Sequence, residues 1–159
     1  MKCWGIDPGL NGALALYDSD NHSIEVFDMP TLEVGKKQKR QIAAVLICDI
    51  LMNDSNCPVI VERVSAMPGQ GVTSMFNFGM GYGIILGILA SYQCRHEIVS
   101  PVTWRKNLKV GPGKDGSRAE AVRLFPAQSE KFSRKKDDGR ADASLLAYWG
   151  YKFGFKDGL

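Results

Sequence analysis

The chain has 159 residues, 45% hydrophobic and 23% charged, with a formal net charge of +3. These values suit one globular domain with a buried core and exclude collagen-like, coiled-coil and disordered chains. Cys3, Cys48, Cys57 and Cys94 are scattered, with no C-x-x-C pair and no histidine at zinc spacing, which argues against a structural zinc.

Residues 1–7 lack a basic segment followed by an apolar core, so no secretory signal is expected. The longest apolar stretch, 79–90, is short and glycine-rich for a bilayer span. No membrane association is expected, and the location is expected to be cytoplasmic, in a bacterial or phage-infected cell.

Residues 2–6 predict a short buried strand, ended by Asp7-Pro8-Gly9. Residues 13–17 predict a second strand and 24–27 a third, with turn residues at 18–21, so the three form an antiparallel meander. Residues 39–52 carry Ile42, Val45, Leu46 and Ile50 at helical spacing. Residues 58–61 are a β-branched run that predicts a buried strand ending at Glu62, and 67–71 a loop. Residues 73–92 predict a long helix. On it Gly79, Gly83 and Gly87 stand four apart on one face, with Gly81 off that face. Each glycine costs roughly 1 kcal/mol against alanine. Such a row marks close packing, against either the protein's own sheet or a second copy.

Residues 96–100 predict another strand, 101–108 a short helix and 111–116 a glycine-rich loop. Ser117 is placed to cap a helix running to Leu124, with Glu120 at capping-box distance and Pro126 as its stop. Residues 128–136 form a polar, basic connector. Asp138 or Gly139 opens a last helix reaching Tyr151. No repeat, low-complexity tract or linker interrupts this order, so a single domain over 1–159 is expected.

Asp7 and Glu62 each end a buried strand. A carboxylate there is costly unless it is paired or binds a cation. Two acids at the same end of neighbouring strands cannot both stay ionised without a counter-ion. Asp138 and Asp142 lie four apart and share a helix face, with small residues (Gly139, Ala141, Ala143) around them that allow close approach to the sheet. Asp137 and Asp138 also compete for the helix N-cap. Four acids so placed predict a hard-cation site, Mg²⁺ being the usual occupant. Two ions roughly 3.5–4 Å apart can clamp a phosphodiester for hydrolysis. His22 falls in a turn and His96 at a strand start, and neither has a catalytic partner nearby in sequence.

The segments carrying these acids resemble those of RuvC-type Holliday junction resolvases. Gly5-Ile6-Asp7-Pro8-Gly9, then Gly12, is similar to the family's opening. Val61-Glu62-Arg63-Val64, followed by a helix bearing Asn77-Phe78-Gly79, resembles its second acidic strand and next helix. Ser100-Pro101-Val102-Thr103-Trp104-Arg105-Lys106 is similar to a segment of phage-borne members. Asp138-Gly139-Arg140-Ala141-Asp142-Ala143, with Leu145-Leu146-Ala147, resembles the C-terminal acidic helix. The resemblance covers nearly the whole chain in order. It implies an RNase H-like α/β fold, with a mixed sheet of about five strands (three antiparallel, then parallel) flanked by helices. It also implies a homodimer that cuts branched DNA, above all four-way junctions, by paired symmetric nicks. Two Mg²⁺ ions per site are implied, with Mn²⁺ able to substitute. Asp7, Glu62 and Asp142 match the family's acids. The fourth acid usually stands three residues before the last, where this chain has Gly139, so Asp138 is the substitute and Asp137 the reserve.

Basic residues surround these acids. Eleven Lys/Arg against five Asp/Glu between Trp104 and Arg140 give a local balance of +6, and Lys36, Lys37, Lys39 and Arg40 form another basic run. Lys106, Lys109, Arg118, Lys135 and Lys136 are expected to contact the DNA backbone. Lys114 is weighed as a catalytic lysine that neutralises charge at the scissile phosphate, against an exposed loop lysine. Phe76 and Phe78 are weighed as wedges stacking on unpaired bases, against core or dimer packing. Other readings are an RNase H-like nuclease on RNA or RNA–DNA hybrid, and a non-catalytic DNA-binding module. An actin-like ATPase, which Asp7-Pro8-Gly9 with Gly12 also resembles, needs a second phosphate loop and subdomain that the sequence lacks.

Overall fold

A computed structural model describes residues 1–155 except 37 and 67, and of Lys114 the backbone alone. The first three strands form the expected meander: β1 (Lys2–Asp7), β2 (Ala13–Asp18) and β3 (Ser23–Asp28). Two parallel strands extend the sheet on the other side of β1, namely β6 (Val59–Glu62) and β7 (His96–Val99), for an order β3-β2-β1-β6-β7. The sheet is therefore mixed and five-stranded, as expected.

Side chains alternate across this sheet with the period of two that strands impose. Trp4, Ile6, Val59 and Val61 point into one core, covered by α1 (Ala44–Met52) and α2 (Val72–Ser91). Cys3 and Ile60 point into the other, covered by α5 (Asp138–Phe153), with Trp104 of α3 (Pro101–Asn107) and Ala121 of α4 (Gly113–Leu124). Between α4 and α5 the expected connector is two 3₁₀ segments, Pro126–Phe132 and Lys135–Asp137, anchored by buried Phe132.

The seating of α5 is dictated at Gly5. A Cβ there would lie 2.2 Å from the Ala143 carbonyl oxygen and 2.3 Å from the Ala147 nitrogen. The main chain of α5 thus rests directly on β1. Trp149 Nε1 donates to Asn107 Oδ1 at 2.9 Å and ties α5 to α3.

Four expectations need correction. Residues 39–42 are not the start of a helix. They form β5 (Lys39–Ile42), which pairs with β4 (Thr31–Val34) in a separate hairpin. Ile42 satisfies both periods, and the turn is made by positive-φ Gly35 (72°) and Gln38 (46°). Ser117 is not a cap but an interior residue of α4, fully buried. That helix begins earlier because Gly113, at φ 70°, turns the chain into it. The glycine row of α2 does not pack on the sheet: Gly79, Gly83 and Gly87 face open space, while Gly81 is the buried one, against Ile42. Finally, α2 is 20 residues long with a mean hydropathy of 1.5 and only 22% burial. By length and composition it reaches what a membrane span requires, where the sequence had put this stretch too short.

Candidate active site

The alternation that builds the two cores also aims the acids. Cys3, Gly5 and Asp7 share the α5 face of β1, and Ile60 and Glu62 share the same face of β6. The parallel register sets Ile6 opposite Val61, so Asp7 and Glu62 stand one step further, side by side at the same sheet end. Asp142 and Asp138 approach from α5, one turn apart.

Asp7 shows what this proximity costs. Its carboxyl is pushed up to about 7, first by burial, then by the neighbouring carboxylates of Asp142 and Glu62, with a smaller push from Asp138. A hydrogen bond from the Gly9 N–H to Oδ1, at 3.2 Å, opposes the shift. The Glu62 carboxyl is also raised, mainly by burial and then by Asp142. A hydrogen bond from Trp104 and the charge of Arg105 pull it the other way.

Trp104 and Arg105 hold the acids on the far side. Trp104, fully buried, donates from Nε1 to Glu62 Oε2 at 2.7 Å. Arg105 places Nη1 3.7 Å from Asp142 Oδ1. The same guanidinium donates to Ser117 Oγ at 2.7 Å and to the Gly111 and Gly113 carbonyls, both at 2.8 Å. Arg105 therefore links an acid to the turn that opens α4. The sequence reading placed both residues in a family-like segment but gave neither a role. A tryptophan two residues after a helix-opening Pro-Val reads as core, and its indole N–H has no partner visible in sequence.

Asp137 and Asp138 stand in different surroundings. Asp137 is buried, and its carboxylate accepts from Arg134 Nε and Nη2 and from the Arg134 main-chain N–H at 2.8 Å, which holds its pKa low. It is a structural ion pair. Asp138 instead lines a groove with Asp7, Gly12, Asn77 and Phe78, about 410 Å³ in volume. Gly139 explains why the acid stands here. A Cβ at 139 would lie 2.3 Å from the Asn11 carbonyl oxygen and 2.8 Å from Gly12 Cα. The helix start is pressed onto the loop after Asp7, so no acid fits three residues before Asp142.

The donor set suits a hard divalent cation: carboxylate oxygens only, on one face, at least one destabilised by the others. Among the described residues, however, no three His, Cys, Asp or Glu side chains converge at ligand distances. Glu62 is turned to Trp104 and Asp142 towards Arg105. The acids share a face and a field, not a finished cage.

The basic residues differ in standing. Lys106, Lys109, Lys135 and Lys136 are exposed. Arg118 is engaged with Asp115 and, at 3.4 Å, the Ser133 carbonyl, which ties α4 to the connector. Lys114 lies in the first turn of α4, and its side chain is outside the described residues. Phe78 is half-buried in the groove with Asp7, whereas Phe76 is 70% exposed. The histidines are structural. His22 sits 2.9 Å from both Tyr17 Oη and the Leu124 carbonyl, and His96 2.9 Å from the Cys94 carbonyl.

A mixed sheet with this strand order, flanking helices and acids at the strand ends is the RNase H-like α/β fold. Within that class the chain superimposes on RuvC of Thermus thermophilus in complex with a Holliday junction substrate. The TM-score is 0.66 at 14% identity, over 97% of this chain and 98% of that one. The fowlpox virus Holliday junction resolvase gives a TM-score of 0.52 at 16% identity, over 96% and 100%. In sequence the chain is 35% identical over 91 residues to the chloroplastic Holliday junction resolvase MOC1 of Chlamydomonas reinhardtii. That match takes in 56% of this chain and spans about a tenth (10%) of the relative's length. No protein-family model matches.

Proposed function

We propose that this chain is a metal-dependent endodeoxyribonuclease that resolves four-way DNA junctions and related branched DNA by paired nicks. The observation that carries the reading is the set of carboxylates on one sheet face, with Asp7 raised to about 7 by burial and by its neighbours. The resolvases that share the fold and part of the sequence support the substrate. Asp7, Glu62, Asp138 and Asp142 would hold two Mg²⁺ ions, or Mn²⁺ in their place. When bound, the ions supply stabilisation of charge developing on the phosphodiester. The chain's own residues do the rest. The groove between the acids and Phe78 receives the strand, Trp104 and Arg105 orient Glu62 and Asp142, and exposed lysines on α3 and before α5 take the flanking phosphates. The whole chain serves as one nuclease domain.

Cleavage of a synthetic four-way junction with Mg²⁺, beside linear duplex and RNA–DNA hybrid, tests the reading. Symmetric nicks confined to the junction support it. Cutting of the hybrid with an intact junction would leave the fold and move the substrate to RNA.

Trp104→Phe keeps an aromatic ring and removes the donor to Glu62. Groups that orient metal-binding side chains are worth roughly 10–100-fold in metal affinity or activity. Nicking at limiting Mg²⁺ is expected to fall by about that factor and to recover in part at high Mg²⁺, with junction affinity unchanged. A loss that ignores metal concentration would refute this role.

A homodimer, which this reading requires, would be expected to pair through α2. Val72 and Phe76, 86% and 70% exposed, lie on this helix with the open Gly79, Gly83 and Gly87. An exposed apolar helix flanked by apolar Val45 (73% exposed) of α1 is the sort of face that pairing buries. Gly83→Arg is expected to give monomers by light scattering, and single in place of paired nicks. A dimer that persists would place the interface elsewhere.

A further inference from the structure

A second groove, about 650 Å³, opens beyond Asp138. It shares Asn11, Gly12 and Asp138 with the groove that holds Asp7, so the two are continuous. One wall is the β4–β5 hairpin, presented by Arg40, and the other is the segment before α5, presented by Lys135 and Lys136.

The charges on these walls differ in how they are used. Arg134 is held by Asp137, and Arg140 by Asp28 through both guanidinium nitrogens. Those positive charges are compensated. Arg40 makes three hydrogen bonds, all to neutral acceptors: Thr31 Oγ1 at 3.1 Å, Asn11 Oδ1 at 2.9 Å and the Leu10 carbonyl at 2.7 Å. It thus fastens the hairpin to the loop that follows Asp7 while keeping its charge. Residues 31–42 carry Lys36, Lys37, Lys39 and Arg40 against Glu33, a net +3, and Lys36 and Lys39 are exposed. At the other end of the acids, α3, which carries the exposed Lys106, meets Glu62 through Trp104.

We propose that the β4–β5 hairpin and the Lys135–Lys136 segment form a backbone-binding groove that takes the nucleic-acid strand as it leaves the carboxylates past Asp138. The proposal rests on the nuclease reading and adds a surface, with Arg40, Lys135 and Lys136 as the cations that line it. An open trough walled by Arg40, Lys135 and Lys136, which form no salt bridge among the described residues, suits a phosphodiester chain, whose charges are evenly spaced and whose counterions are released on binding. Such a surface positions a strand without reading its bases.

The test is the salt dependence of junction binding by the full chain, in an Asp7→Asn background that prevents cutting. Lys135→Glu/Lys136→Glu, which reverses two exposed cations lining the groove, is expected to weaken binding at least tenfold at about 0.1 M salt. It should also reduce the slope of log affinity against log salt by about 2, close to one unit for each phosphate no longer neutralised. Its melting temperature should match that of the parent. Lys152→Glu, an exposed change at the far end of α5, should alter affinity less than twofold. A groove variant with unchanged affinity and slope, or a Lys152→Glu loss as large as the groove variant's, overturns the groove while the nuclease reading stands. Wild-type protein that neither binds nor cuts branched DNA overturns both.

Discussion

Replacing Asp7 by asparagine is expected to abolish strand cleavage and, in the same protein without metal, to raise stability at pH 8. Both effects come from one carboxyl. Its pKa rises from an ordinary value of 3.8 to about 7, through burial first and then the neighbouring Asp142 and Glu62. The folded state therefore binds a proton more tightly than the unfolded chain. Between about pH 4 and pH 7 the folded protein carries more protons, so stability falls as pH rises through that window and levels off above it. Asparagine keeps an oxygen for the Gly9 N–H and removes the charge. The metal-free melting temperature at pH 8 is expected to rise on the order of 5 °C, and the decline between pH 4 and 7 to flatten. Added Mg²⁺ should stabilise the wild type and leave the variant unmoved. Cleavage should fall about a thousandfold or more, the equivalent of roughly 4 kcal/mol of transition-state stabilisation. A variant that still nicks at a tenth of the wild-type rate would remove Asp7 from the chemistry.

The second large effect is expected at Gly5, which is far from solvent and carries no chemistry. Gly5→Ala adds one methyl group at 2.2 Å from the Ala143 oxygen and 2.3 Å from the Ala147 nitrogen. Ordinary contacts are about 3.5–4 Å, and these atoms belong to helix backbone that cannot rotate aside. Either α5 lifts from the sheet or β1 bends. Overpacking of this kind costs about 3 kcal/mol, which lowers the melting temperature by on the order of 10 °C. Lifting α5 also withdraws Asp142 and Asp138 from Asp7, so cleavage should fall together with stability. Gly71→Ala, where the same methyl comes no nearer than 4.0 Å to the Ser74 hydroxyl, is the control and should change stability by less than about 1 kcal/mol. Thermal melts of the two variants check the contrast directly, and equal melting temperatures would contradict it.

The acids were legible because their burden is local. Asp7 and Glu62 end apolar runs, and a charge at the end of a buried strand is conspicuous in one dimension. Asp138 and Asp142 share a helix face by spacing alone. What escaped the sequence depends on partners distant along the chain. Ser117 has the residues of a cap around it, yet its hydroxyl is taken by Arg105, twelve residues earlier. Trp104 looks like core and is also the donor to Glu62, forty-two residues away. The hairpin was hidden because Ile42 fits a helical and a strand period equally. The β4 strand that decides the matter has only Thr31, Leu32 and Val34 to announce it. Whether the glycines of α2 face the sheet or open space depends on which side of the helix Ile85 and Leu89 occupy in the core, and neighbouring glycines say nothing of that.

The four carboxylates are proposed to hold the metal for cleavage. Crystals grown or soaked with Mn²⁺ and measured at its absorption edge test it directly, since the anomalous signal locates the ion without reference to activity. Anomalous peaks are expected against Asp7, one towards Glu62 and one towards Asp138 and Asp142, and absent in Asp7→Asn. Crystals with Mn²⁺ bound elsewhere and none against Asp7 would contradict it.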